Sequence, residues 1–210
     1  MVTIKELNET KYTLQDVHSL IKEVYGQLTG EGIHFQALSV TTEELEQKIR
    51  EHSGVVRVAI DEQTQELMGT ATVLFHTDKH GQRFAGFVLG AVRPDAQGSG
   101  IGKLMWQQNV ECARERGCAY IATSTAENAK SSIEQQIKSG SKKYGFSSAN
   151  CSDYYSIQFR QYLIPTYKSS SIYCTLRYNL YRIKTKLLYR ENGTRTPLGS
   201  FCHRIKKAIK

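Results

Sequence analysis

The sequence predicts an α/β domain on a mostly antiparallel sheet flanked by helices, followed by a basic helical extension. Three observations carry this. Apolar residues recur at helical spacing in some stretches and in strand-length runs in others, in the order β-α-α-β-β-β-α-β-α-β. A glycine-rich turn over residues 97–102 separates a strand-like run from a helical one. Charge is divided unevenly: residues 1–164 carry seventeen Lys/Arg and nineteen Asp/Glu, a net of −2, whereas residues 165–210 carry eleven cations against the single acid Glu191, a net of +10. The expected division is therefore a domain over 1–164 and an extension over 165–210.

The opening VTIKEL reads as a short strand. Thr13 then caps a helix in which Leu14, Val17, Ile21 and Val24 share a face, and Gly26 and Gly30 end it. Thr41 opens a second helix running to about His52, with Glu43 and Glu44 in its first turn, where the helix dipole favours acids. Residues 55–60, 67–75 and 84–92 read as three strands joined by short polar turns. The third is apolar throughout, as a strand buried on both faces should be. A helix over 101–116, a strand over 118–125, a polar helix over 130–144 interrupted at Gly140, and a strand over 154–163 complete the domain.

Several classes are excluded. The longest stretches without Asp, Glu, Lys or Arg are eleven residues, 32–42 and 67–77. A membrane-crossing helix needs about 20 apolar residues, so none is expected. The N-terminus places Glu6 and Glu9 where a signal peptide needs an apolar stretch, so no secretion signal is expected. The five cysteines (Cys112, Cys118, Cys151, Cys174, Cys202) are odd in number, scattered and without a CxxC pair. They indicate neither a disulfide framework nor a zinc site, so no metal and a reducing, cytoplasmic setting are expected.

The segment VLGAVRPDAQGSGIGKL, from Val88 to Leu104, carries the chemistry. Two phosphate-binding patterns fail on it. The dinucleotide fingerprint needs glycine at 103, where Lys103 stands. The P-loop needs glycine at 97, where Gln97 stands, and Ser or Thr at 104, where Leu104 stands. What remains is Gln97-x-x-Gly100-x-Gly102 after a Val92-x-Pro94 strand end. Glycines without Cβ atoms let main-chain N–H groups approach an anion closely. At the first turn of a helix those donors lack partners and the dipole is positive, which suits a pyrophosphate. The same glycines also fit a plain turn before a helix.

This segment resembles the coenzyme A loop of the GNAT acetyltransferases, (Gln/Arg)-x-x-Gly-x-(Gly/Ala). The order of elements from about residue 2 to 163 is similar to that family's. The resemblance implies a GNAT-like fold and acetyl transfer from acetyl-CoA, usually to an amine. It implies a pyrophosphate held by Gly98, Ser99, Gly100, Ile101, Gly102 and Lys103, with Gln97 opening the loop. It also implies pantetheine running along Ala91 and Val92, with the Val92 N–H polarising the thioester carbonyl. Asn128, after the fifth strand, either holds the pantetheine or caps the next helix.

The sequence departs from the family in two places. The strand before the loop holds no Glu, so His76, at the end of the neighbouring strand, is the candidate base, with Glu127 a weaker one. A lone His there also reads as a surface residue. The family's Tyr four residues before Gly-Phe is replaced by Ser141 before Gly145-Phe146. Tyr144, from a shifted register, is the candidate proton donor; packing before Gly-Phe is its other reading. The alternative functions are a CoA-binding module without turnover and a protein whose basic tail binds nucleic acid.

In the extension, Tyr173, Leu176, Leu180, Ile183 and Leu187 form one helical stripe ringed by Arg177, Arg182, Lys184, Lys186 and Arg190. A short second basic run follows the NGTRTPLG break. Such a segment lies on an anionic membrane surface, binds nucleic acid, or packs on its own domain or a second copy. The expected partners are a small-molecule amine or sugar acceptor, with peripheral contact to the inner face of the membrane or a homodimer ahead of nucleic acid.

Overall fold

In a computed structural model, the structure describes residues 1–28, 35–148 and 154–208. Gly30 and Cys151 lie outside the described residues. The fold is a mixed, mostly antiparallel seven-stranded sheet flanked by helices. The chain forms two compact units, Met1–Ile121 and Ala122–Lys210.

In the first unit, β1 (Val2–Glu6), β2 (Val55–Asp61), β3 (Leu67–Thr77) and β4 (Arg83–Val92) pair antiparallel in that order. Helices α1 (Leu14–Leu28), α2 (Thr42–Glu51) and α3 (Ile101–Glu115) accompany them. Both early helices start at threonines. The Thr13 hydroxyl accepts from the Asp16 N–H at 3.2 Å, and the Asp16 carboxylate accepts from the Thr13 N–H at 2.7 Å. Thr41 and Glu44 make the same reciprocal box at 3.2 and 3.1 Å. Helix α1 continues through Gly26 instead of stopping there.

Alternation along β2 sorts the core onto two faces. Val56, Val58 and Ile60 pack with Val17, Leu20, Ile21 and Val24 of α1. Ala59 packs with Ala96, Ile101 and Met105 at the start of α3. Arg57, 9 % exposed, lies two residues from Ala59 on that second face. Its guanidinium donates to Asn109 Oδ1 at 2.9 Å and Glu6 Oε1 at 3.0 Å, so the buried charge is paired.

The second unit contains most of β5 (Tyr120–Ala126), then α4 (Lys130–Lys138), β6 (Lys142–Ser148), β7 (Tyr155–Tyr162), α5 (Ser171–Leu188) and α6 (Pro197–Ala208). Strands β6 and β7 pair antiparallel. The sequence had placed 142–144 in the preceding helix. In fact α4 ends at Lys138, Gly140 takes φ +88°, and a seventh strand begins at Lys142. A polar helix followed by Lys-Lys-Tyr has no period that separates it from a strand; pairing with β7 decides it.

Helix α5 packs on β6. Thr185 Oγ1 donates to the Phe146 carbonyl at 3.1 Å, and Tyr178 sits edge-on to Phe146 at 6.0 Å. Arg182 and Lys186 both reach Glu127 Oε1, at 3.3 and 3.0 Å. The described cysteines Cys112, Cys118, Cys174 and Cys202 are free thiols.

Candidate functional site

The apolar run 84–92 forms a strand, but it is not buried on both faces. Its register with β3 steps from Thr72↔Val88 to Thr70↔Ala91, so Leu89 and Gly90 together oppose Ala71. This is a β-bulge, and Leu89 takes φ +52° in it. Such a conformation costs a leucine on the order of 1–3 kcal/mol and persists only where surrounding structure imposes it. The bulge resets the alternation. Leu89 and Ala91 both join the α1 cluster, whereas Val92 joins the α3 cluster. Gly90 is exposed, and its carbonyl accepts from the Tyr25 hydroxyl at 2.9 Å. The sequence reading missed this feature. Its signal was a glycine inside an otherwise continuous apolar run.

At the end of β4 the Arg93 N–H donates to the Met68 carbonyl at 2.9 Å. Successive N–H groups along a strand point to opposite edges. The Val92 N–H is therefore directed away from β3. Residues Pro94–Ala96 make one 3-10 turn. Gln97 Nε2 donates to the Val92 carbonyl at 3.2 Å, so this side chain braces the loop against the strand end. Gly98 and Gly100 take φ +83° and +91°. A Cβ at either would meet nothing within 4 Å, so backbone conformation, and not crowding, selects glycine there.

Gly100 is the N-cap of α3, and no side chain caps that end. Among the described residues, the N–H groups of Gly98, Gly100, Ile101, Gly102 and Lys103 have no acceptor. The first turn holds no acid, and Lys103 is exposed within it. Ser99 is engaged differently: its N–H donates to the Ala96 carbonyl at 3.4 Å. The result is an open set of main-chain donors at the positive end of a fifteen-residue helix.

His76 pairs with Phe84 at the far end of the β3–β4 ladder. Its ring lies tilted against His52 at 4.1 Å and stacks on Phe84 at 5.0 Å, and Phe84 stacks in turn on Tyr120 at 5.0 Å. Burial and the neighbouring His52 hold its pKa below the usual histidine value. Phe84 and Val92 are eight residue steps apart along β4, about 27 Å at roughly 3.4 Å per residue. The structure therefore does not bring His76 to Val92.

In the second unit Tyr144 is 6 % exposed. The guanidiniums of Arg160 and Arg177 lie 3.8 and 4.3 Å from its ring centroid. Burial raises its pKa above the usual tyrosine value, and the two cations act in the opposite sense. Asn128 is exposed in the turn before α4; its main-chain carbonyl accepts from Lys130 N–H at 3.0 Å. The N-cap of α4 is Ala129, so Asn128 does not cap that helix. Ser141 is buried, and its N–H donates to the Gln136 carbonyl at 3.0 Å. Among the described residues no group of three or more His, Cys, Asp or Glu is placed to hold a metal ion.

The sequence model of the acetyltransferase (GNAT) family matches residues 15–134, more than half of the chain. The chain belongs to the GNAT acetyltransferase family. As a GNAT enzyme it is an acetyl-CoA-dependent N-acetyltransferase, and the amide-lined loop lies within the matched segment. Among curated proteins, none matches it in sequence. Solved structures share the fold. An acetyltransferase of the GNAT family from Staphylococcus aureus superposes with a TM-score of 0.60 at 13 % identity, covering 78 % of this chain and 99 % of that one. A Bacillus subtilis acetyltransferase in complex with CoA gives 0.57 at 14 % identity, covering 78 % and 100 %. The ribosomal-protein-alanine N-acetyltransferase of Brucella melitensis gives 0.57 at 18 % identity, covering 77 % and 99 %.

Proposed function

We propose that this GNAT enzyme moves the acetyl group of acetyl-CoA to a primary amine of a small-molecule, sugar or peptide acceptor, and that residues 1–164 are the transfer domain. The reading rests on one observation: five main-chain N–H groups at the start of α3, Gly98 and Gly100 to Lys103, have no acceptor among the described residues. A diphosphate supplies the missing acceptors and the negative charge that the helix end favours. Pantetheine then extends along Ala91 and Val92, and the outward Val92 N–H polarises the thioester carbonyl. Asn128, with its side chain exposed, is the second expected contact to pantetheine.

The amine nitrogen attacks the carbonyl carbon, the C–S bond breaks, and the surplus proton on nitrogen leaves to water. Tyr144 gives its proton to the departing thiolate and recovers one from solvent. Burial keeps this phenol protonated beforehand, and Arg160 and Arg177 favour the phenolate that donation leaves. Direct transfer by His76 is left out of this reading because of its distance along β4. The reaction is placed in the cytoplasm.

Calorimetry with CoA and with pantetheine tests the cradle. CoA is expected to bind at least about 100-fold more tightly, since several charge-assisted hydrogen bonds are lost without the phosphates. Equal affinity rejects the loop assignment. No carboxylate stands along β4 to act as base. Thiol release from acetyl-CoA across a panel of amines identifies the acceptor class.

A further inference from the structure

The structure assigns a docking surface to the outer face of α5, and its charge points to an anionic lipid bilayer as what covers it. This goes beyond acetyl transfer and is independent of it.

The helix has two unlike faces. Cys174, Tyr178 and Thr185 face the unit's own interior. The large aliphatic residues do not. Ile172, Leu176, Leu180, Ile183 and Leu187 are 76, 66, 65, 61 and 53 % exposed. At roughly 100° per residue these five fall within about 80° of arc, centred about 180° from the packed side. They form a line about 22 Å long at roughly 1.5 Å per residue. Helix α6 adds Leu198 and Phe201, 47 and 55 % exposed.

Of the stripe marked in the sequence, Leu176, Leu180, Ile183 and Leu187 are exposed, whereas Tyr173 lies against Tyr144 with ring centroids 6.4 Å apart. The inner face is held instead by a hydroxyl, an edge-on ring and the ion pairs of Arg182 and Lys186 with Glu127. An exposed aliphatic line of this continuity marks an interaction site.

Charge selects among its occupants. The segment 165–210 carries eleven cations and one acid, and α5 contains no acid. Lys184 rims the stripe on one side, while Lys186, on the other, is held by Glu127. A second copy would bring another segment of net +10 against this one, so self-pairing is opposed. A polynucleotide would satisfy the cations of the segment but leave five aliphatic side chains facing a polar groove. An anionic bilayer surface takes both at once: the aliphatics enter the boundary between headgroups and chains, and Lys184 meets the headgroups. No described helix is long and apolar enough to cross a membrane, so α5 lies along the surface.

The test uses the full chain with vesicles of phosphatidylcholine alone, or mixed with phosphatidylserine. Cosedimentation is expected with the anionic vesicles and not with the neutral ones, and it should weaken as salt rises. Leu180→Ser with Ile183→Ser should lower partitioning by about tenfold or more, because two buried aliphatics are lost. Lys184→Gln should lower it about fivefold. All three positions are exposed, and unchanged circular dichroism and CoA affinity confirm that the variants fold. Failure to sediment with anionic vesicles overturns the proposal, as does unchanged partitioning of the Leu180/Ile183 variant. A solution dimer that this variant dissociates would assign the stripe to a second copy and overturn it equally.

Discussion

The two ends of β4 are built on opposite principles. At the hairpin end, His76, Phe84 and Tyr120 stack ring upon ring with His52 tilted against His76, and the Tyr120 hydroxyl donates to Asp78 Oδ2 at 3.3 Å. At the other end the chain bulges at Leu89, runs through two glycines at positive φ, and opens α3 with main-chain donors unmet. The first end is satisfied by its own side chains. The second leaves five main-chain donors without an acceptor among the described residues. A buried or stacked cluster is thus weak evidence of chemistry, whereas a row of unpaired N–H groups on a rigid helix end is strong evidence of a ligand.

The largest effect that would break this contrast is at Gly100. Gly100→Glu forces a side chain into the left-handed region and places a carboxylate where the diphosphate would lie. CoA affinity should fall by about 100-fold or more, from strain of a few kcal/mol and like-charge repulsion together. Calorimetry reads it, and an unchanged dissociation constant would remove the cradle.

A smaller effect is expected at Tyr144, which has the closed character of the hairpin end yet is proposed to act. Tyr144→Phe should lower kcat by about tenfold or more while leaving CoA affinity intact, as for loss of a general acid. Because burial raises this phenol, wild-type kcat should hold beyond the ordinary tyrosine value of about 10 before its alkaline fall. That limb should vanish in the variant. Equal turnover would reassign Tyr144 to packing between its two guanidiniums.

The smallest effect is at His76. His76→Phe keeps the ring stack and should change kcat/KM by less than about twofold, since the group lies far from any direct proton transfer. Its influence should instead be on stability. The folded imidazole has a lowered pKa, so below about pH 6.5 the unfolded chain takes up a proton that the folded chain resists. Stability from this site is fully present above that pH and is lost on acidification toward the folded value. Urea titrations at both extremes should show a smaller acid loss for the variant. A large loss of turnover would place His76 in the mechanism after all.

The glycine loop was legible because its information is local. Gln97-x-x-Gly100-x-Gly102 after a strand and before a helix fixes main-chain conformation within six residues. Helices α1 and α2 were legible through their threonine caps, whose partners stand three residues away. The bulge at Leu89 was not, because it depends on which residues of β3 lie opposite. Strand β6 was not, because Lys142–Ser148 becomes a strand only beside β7.

Composition and local spacing by themselves determined the α/β class, the glycine turn before α3 and the cationic character of the last forty-six residues. These follow from residue type and from periods of a few residues. Tertiary structure alone decided which side of α5 is buried. Periodicity marks a stripe of Leu and Ile but not the direction it faces, and here the hydroxyl of Thr185, the ring of Tyr178 and the acid Glu127 anchor the opposite side. It also decided that His76 and Val92 stand at opposite ends of the β3–β4 ladder. Proximity in space is set by pairing register, which no single segment of sequence contains.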